Sequence, residues 1–225
     1  MTVMIDALEN LKRSILRCDE RIGIGSDWPQ DAESMLSIER MDNFRYCIET
    51  VVKENISGDV IECGVWRGGA CIYAKAILDA RNSQKKVFVA DSFCGFPVPK
   101  FNWDKGADFL TNETLKISEE EVKENFQKYG YLDDRVIFVR GYFEDSLPKL
   151  HETFSVVRAD GDLFESTIDI LENLYPRLSV GGFLIVDDFG LECCRQAITQ
   201  YREKYSIIEP IIRIDDFGVY WRKEK

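Results

Sequence analysis

From residue 57 onward, short apolar runs alternate with amphipathic segments, and each run closes on glycine or aspartate. VIECG, KVFVADSF, RVIFVRG, FSVVRADGD and FLIVDDFG have strand length and are rich in β-branched and aromatic residues. GGACIYAKAILDARN, SEEEVKENFQKYG, ESTIDILENLYPRL and ECCRQAITQYREKY are read as helices. Ser118 is an N-cap with Glu121 as its capping-box partner and Gly130 as the stop, and Gly181-Gly182 is expected to close the ESTIDILENLYPRL helix. Strand–helix alternation predicts a parallel sheet with helices on both faces. At the end of the chain, EPIIRID and VYWRK flank a DFG turn too short for a crossover, so that pair is antiparallel. The expected fold is an α/β, Rossmann-like sheet of seven strands.

Ahead of the sheet, residues 1–22 read as an amphipathic helix and GIGSDWPQDAES as a loop anchored by Trp28-Pro29. Residues 34–55 read as a second helix, with Met35, Ile38, Met41, Phe44, Ile48 and Val51 on one face. Residues 1–56 are expected to form a helical extension or lid, and residues 57–225 the main domain. A length of 225 residues suits one large domain with such an extension.

Charge removes several function classes. There are 29 Lys and Arg against 40 Asp and Glu, a formal net charge of −11. That balance argues against a nucleic-acid partner and against a polybasic membrane anchor. No run approaches the roughly 18–20 apolar residues of a membrane span. The single histidine, His151, excludes a two-histidine zinc motif and is expected on a surface loop. Seven cysteines without a CxxC spacing or a secretion signal point to free thiols and a cytoplasmic location. Cys193-Cys194 is read as helix packing, with a vicinal redox pair as the alternative.

In open α/β sheets, ligands bind beyond the carboxyl ends of the strands. The first strand ends in Glu62-Cys63-Gly64-Val65-Trp66-Arg67-Gly68-Gly69-Ala70. Trp66 occupies the second glycine of a GxGxxG fingerprint, which weakens a dinucleotide reading; ExGxxxGG instead resembles the first motif of S-adenosylmethionine (SAM) methyltransferases. The second strand ends at Asp91, placed to accept hydrogen bonds from a ribose diol, with Ser92 and Phe93 following. Tyr142, after the third strand, faces an adenine ring or packs in the core. The cofactor-facing set is Glu62, Gly64, Val65, Gly68, Gly69, Ala70, Asp91, Ser92, Tyr142 and Asp160.

The fourth and fifth strands end in Asp160 and Asp162, and in Asp187 and Asp188. Carboxylates gathered at one rim repel one another unless protonated or neutralised by a cation. All-oxygen ligands point to Mg²⁺, with Mn²⁺ or Ca²⁺ possible; a solvated acidic rim is the alternative.

In this order, DWP, ERMDN, GDVIECGVWRGGA, VADSFCGFP, ADGDLFEST, LYPRLSVGGF, IVDDFG and CRQAI resemble the macrocin O-methyltransferase family, over about Trp28 to Trp221. That resemblance implies a Mg²⁺-dependent, SAM-dependent methyltransferase acting on a sugar hydroxyl, and a seven-stranded methyltransferase sheet. It implies metal ligands at Asp160, Asp187 and Asp188, a general base at Asp162, a cofactor segment from Glu62 to Ala70 and a ribose carboxylate at Asp91. Ala159 and Phe164 depart from the family pattern, and FCGFPVPKFNWDKGADFL, the expected acceptor-facing stretch, is idiosyncratic. The expected partner is a sugar-containing small molecule, and a homodimer is expected from how commonly such enzymes self-associate. Two rivals are a metal-dependent glycosyltransferase that uses Asp160-Gly161-Asp162 as a DxD motif, and a non-catalytic SAM-binding protein.

Overall fold

The computed structural model describes residues 2–20 and 29–225. Trp28, the expected loop anchor, lies outside the described residues. Helix α1 spans Thr2–Leu16 and α2 spans Ile38–Lys53. The second helix starts later than its apolar spacing predicts, because the Ser37 hydroxyl caps it by accepting the Arg40 N–H.

Five parallel strands follow: β1 Asp59–Cys63, β2 Val87–Asp91, β3 Val136–Arg140, β4 Phe154–Ala159 and β5 Leu178–Val186. Helices α3 Gly69–Ala80, α4 Glu119–Tyr129, α5 Phe143–Ser146, α6 Phe164–Leu174 and α7 Glu192–Lys204 connect them and lead to the hairpin of β6 Ile212–Arg213 and β7 Val219–Arg222. The sheet order is β3-β2-β1-β4-β5-β7-β6, with β7 antiparallel to both β5 and β6. This is the expected seven-stranded α/β sheet. The strand order reverses between β1 and β4, where a crevice opens above the carboxyl ends.

Alternation along the strands sends successive side chains to opposite faces. Val60, Val89 and Val156 join the core beneath α1–α4, while Ile61, Cys63, Phe88 and Val157 join the core beneath α6 and α7. The buried residues of α2, among them Met41, Phe44 and Ile48, belong to the first of these cores.

One boundary differs from the sequence reading. Pro176 follows α6 and cannot continue it, and β5 already starts at Leu178, so Gly181-Gly182 lies inside the strand. There the β4–β5 register shifts between Phe154 and Val156. A Cβ on Gly182 would meet the Ser155 carbonyl oxygen at 2.6 Å, so a close backbone approach requires this glycine.

Candidate active site

Parallel register sets the site. Cys63 pairs with Ala90 across β1–β2 and with Ala159 across β1–β4, and Ala159 pairs with Val186. The next residues, Asp91, Gly64, Asp160 and Asp187, therefore stand side by side at the carboxyl ends of the strands. Gly64 has φ +86°, and a Cβ there would stand 1.7 Å from the Asp160 carbonyl oxygen. Only glycine lets the two strand ends pass so closely.

Above these ends lies an open cavity. Of the cofactor-facing set, Gly64, Asp91, Ser92, Tyr142 and Asp160 line it, as does the expected base Asp162. Asp91 is fixed by backbone donors: Val65 N–H reaches its Oδ2 at 2.9 Å and Phe93 N–H its Oδ1 at 2.8 Å. Burial raises its carboxyl above the ordinary range, and those two N–H groups pull it back.

The remaining cofactor-facing residues lie behind the wall. Val65 orients Asp91. Gly68 caps α3 in a left-handed conformation, Gly69 donates its N–H to the Glu33 carbonyl, and Ala70 is buried in the core. Glu62 is buried in an ion pair with Arg158 and accepts from the Cys71 thiol.

Ligand-capable atoms of Asp160, Asp187 and Asp188 lie within 4.8 Å of one another. Arg158, 1 % exposed, sits beneath them and gathers Glu62, Asp160 and Asp187 at 2.6, 2.7 and 2.5 Å. Arg40 reaches Asp187 from α2 at 2.6 Å. These guanidiniums neutralise part of the pole, but neither pairs with Asp162 or Asp188 among the described residues. Burial first, then neighbouring carboxylates, raises both carboxyls well above the usual range. An oxygen-only donor set with surplus negative charge fits a hard divalent cation.

Asp162 turns the chain with φ 56°. Its N–H donates to Asp188 Oδ2 at 3.1 Å, and its carbonyl accepts the Cys193 thiol at 3.2 Å. Its own carboxylate meets no hydrogen-bond donor among the described residues. Cys194 packs in the core, as expected of the pair, whereas Cys193 turns to the Asp162 loop. His151 is exposed on a loop, as expected.

Sequence reasoning missed three contributors. Arg158 is the lone charged residue of the fully buried strand β4, and Arg40 sits one helical turn before Phe44 on α2; a charge inside a buried element was the available signal. Asp104, 1 % exposed, belongs to the idiosyncratic stretch after β2. Its carboxylate accepts Phe164 N–H at 2.6 Å and Glu165 N–H at 3.2 Å, capping α6 where Leu163 supplies no side-chain cap. Nothing in its local sequence announces that role.

The family model described as Macrocin-O-methyltransferase (TylF) matches residues 3–223. The 8-demethyl-8-(2,3-dimethoxy-alpha-L-rhamnosyl)-tetracenomycin-C 4'-O-methyltransferase of Streptomyces olivaceus is 45% identical in an alignment 211 residues long; the match covers 88% of this chain and 78% of that protein. The demethyldecarbamoylnovobiocin O-methyltransferase of Streptomyces niveus is 45% identical in an alignment 215 residues long; the match covers 89% of this chain and 79% of that protein. The solved structure of the O-methyltransferase NovP superposes with a TM-score of 0.93 at 38% identity, covering 99% of this chain and 100% of that one.

Proposed function

We infer the reaction from the premise that the chain belongs to the macrocin O-methyltransferase family and is a methyltransferase. We propose that it moves the methyl group of SAM to a hydroxyl of a sugar carried by a small molecule, in a Mg²⁺-dependent reaction. The observation that carries this reading is the convergence of Gly64, Asp91 and the unpaired Asp162 on one cavity, beside the three-carboxylate pole. The rhamnosyl group in the name of the Streptomyces olivaceus relative supports a sugar acceptor.

Each residue has a task. Gly64 gives room for the methyl donor at the end of β1. Asp91, held by Val65 and Phe93, keeps a lone pair for the ribose diol. Asp160, Asp187 and Asp188 would hold the cation, with Arg158 fixing the orientation of the first two. A Mg²⁺ ion held by these three carboxylates would supply Lewis acidity to an acceptor hydroxyl. Asp162 takes the hydroxyl proton as general base; its carboxylate lines the cavity with no hydrogen-bond donor on it among the described residues, which leaves its lone pairs free for that step. Phe96, Pro97 and Leu115 form an apolar part of the wall that limits water around the reacting groups.

Titration calorimetry with S-adenosylhomocysteine (SAH) and with a nucleoside-diphosphate sugar tests this reading. SAH should bind, and Asp91→Ala should weaken it by about tenfold or more, the scale of a hydrogen bond to a charged group. Binding of the nucleotide-sugar with no binding of SAH would favour glycosyl transfer instead.

A further inference from the structure

The segment after β2 runs from the cavity across the starts of α6 and α7. Phe96 and Pro97 line the cavity, and the Phe101 ring packs on Phe164 at a centroid distance of 5.3 Å. Phe164 opens α6 two residues beyond Asp162. The 3-10 turn Asn102–Asp104 packs against both α6 and α7, and the Asp104 charge acts on Cys193, whose thiol donates to the Asp162 carbonyl. A second element reaches the same place. Two residues beyond Asp188, Gly190 has no room for a Cβ because the Phe217 ring lies on it, and the Gly190 N–H donates to the Phe217 carbonyl at 3.0 Å. The Arg40 guanidinium, paired with Asp187, stands 5.9 Å from the Phe217 ring centroid. Asp162 and the carboxylate pole are thus bracketed by aromatic rings from two separate parts of the chain.

These rings are left bare. Phe101, Trp103 and Phe217 are 45, 49 and 46% exposed, and Val98 beside them in sequence is also exposed. The polar side chains of the segment are already engaged: Lys100 pairs with Glu144 and Glu165, Asn102 accepts from Lys105, and Asp104 takes the Phe164 and Glu165 N–H groups. The surface left for a ligand is apolar, and the buried Asp104 fixes it in place. Large apolar side chains exposed together mark a binding surface. We propose that Phe101, Trp103 and Phe217 are specificity-determining residues, forming a subsite for a flat apolar group attached to the methylated sugar. The occupant follows from position: a sugar whose hydroxyl reaches Asp162 and the pole carries its substituent past these rings. An aromatic substituent stacks on them and buries apolar area. A second sugar needs hydrogen-bond partners that the segment has spent on itself. A phosphate-linked group is opposed by the acidic pole and a net charge of −11. The proposal rests on reading this cavity as the methyl-transfer site.

The test holds the sugar constant and changes what it carries. Ligand-observed NMR titrations measure phenyl against methyl α-L-rhamnoside, phenyl against methyl glucoside, and a nucleoside-diphosphate sugar, on protein with and without saturating SAH. With one sugar or the other, the phenyl glycoside should bind wild type about tenfold tighter than the methyl glycoside. Trp103→Ala, Phe101→Ala and Phe217→Ala should each cut that advantage about threefold or more, the scale of one aromatic contact. Methyl glycoside and SAH affinities should stay as in wild type, which a general loss of structure would not allow, and Trp103→Phe should keep most of the advantage. Trp103 and Phe217 lie on separate elements at exposed positions, so the test stays decisive if Phe101→Ala, which also loses the Phe164 contact, fails to fold. Equal binding of phenyl and methyl glycosides for both sugars, an advantage unchanged in all three alanine variants, or tighter binding of the nucleotide-sugar than of either phenyl glycoside would overturn the subsite. Failure of wild type to bind SAH would overturn the methyl-transfer reading instead, and the titrations without SAH would still decide the subsite.

Discussion

Arg40 Nη1 stands 2.6 Å from Asp187 Oδ2, joining a helix ahead of the sheet to the end of its fifth strand. The same guanidinium donates through Nε to Asp215 Oδ2 at 2.6 Å, in the turn between β6 and β7. One side chain thus ties three distant parts of the chain at the rim of the site. Removing Arg40 leaves Asp187 with Arg158 alone and leaves Asp215 without a cation among the described residues. Arg40→Ala should lower the unfolding free energy by about 2–3 kcal/mol, the scale of hydrogen bonds to charged groups. Urea denaturation at pH 7 measures it, and a loss under about 0.5 kcal/mol would mean the contact is merely a surface pair.

Asp215 makes the acid side of stability testable. Although burial acts against it, Arg40 and the Gly218 and Phe217 N–H groups hold its carboxyl down at about 2, against an ordinary 3.8. The folded state therefore binds this proton less readily than the unfolded chain. The contribution is present above an ordinary carboxylate pKa and disappears as pH falls from 3.8 towards 2. Asp215→Asn should flatten that part of the stability–pH curve; an unchanged acid limb would remove Asp215 from the account.

Asp104 should hold the segment after β2 against the start of α6. Asp104→Ala leaves the Phe164 and Glu165 N–H groups unpaired in a buried place, at a cost of about 1–3 kcal/mol. Hydrogen exchange should show faster exchange at these two amides, with Asp104→Asn intermediate. Unaltered protection at both amides would contradict the capping role.

The strands and their terminal aspartates were legible because parallel strands buried on both faces read as unbroken apolar runs. Register then brings Asp91, Asp160 and Asp187 to one edge. The start of β5 was not legible: Gly181-Gly182 resembles a helix stop, whereas Pro176 had already ended α6. Arg158 and Glu62, 96 residues apart, meet only through the β1–β4 register. Asp104 lies in a short 3-10 turn, Asn102–Asp104, where neither helical nor strand periodicity marks a burial face.

The two aspartates of the ADGD segment should separate kinetically. Asp160 belongs to the carboxylate pole, whereas the Asp162 side chain lines the cavity without a hydrogen-bond partner among the described residues. Asp160→Asn should need more Mg²⁺, and high Mg²⁺ should restore part of its rate. Asp162→Asn should lose about 10²–10⁴ in rate at every Mg²⁺ concentration, the scale of a missing general base. Rescue of Asp162→Asn by Mg²⁺ would show that the proton leaves by another route.

Methyl transfer itself is the most direct test. Wild-type protein is incubated with SAM labelled in its methyl group and a panel of glycosides, once with added Mg²⁺ and once with excess chelator, and each product is located by mass spectrometry. The expected result is label on a sugar hydroxyl of at least one glycoside with Mg²⁺, none with chelator, and recovery when Mg²⁺ is returned. Label on a non-sugar position, or full transfer in excess chelator, would contradict a Mg²⁺-dependent sugar O-methyltransferase.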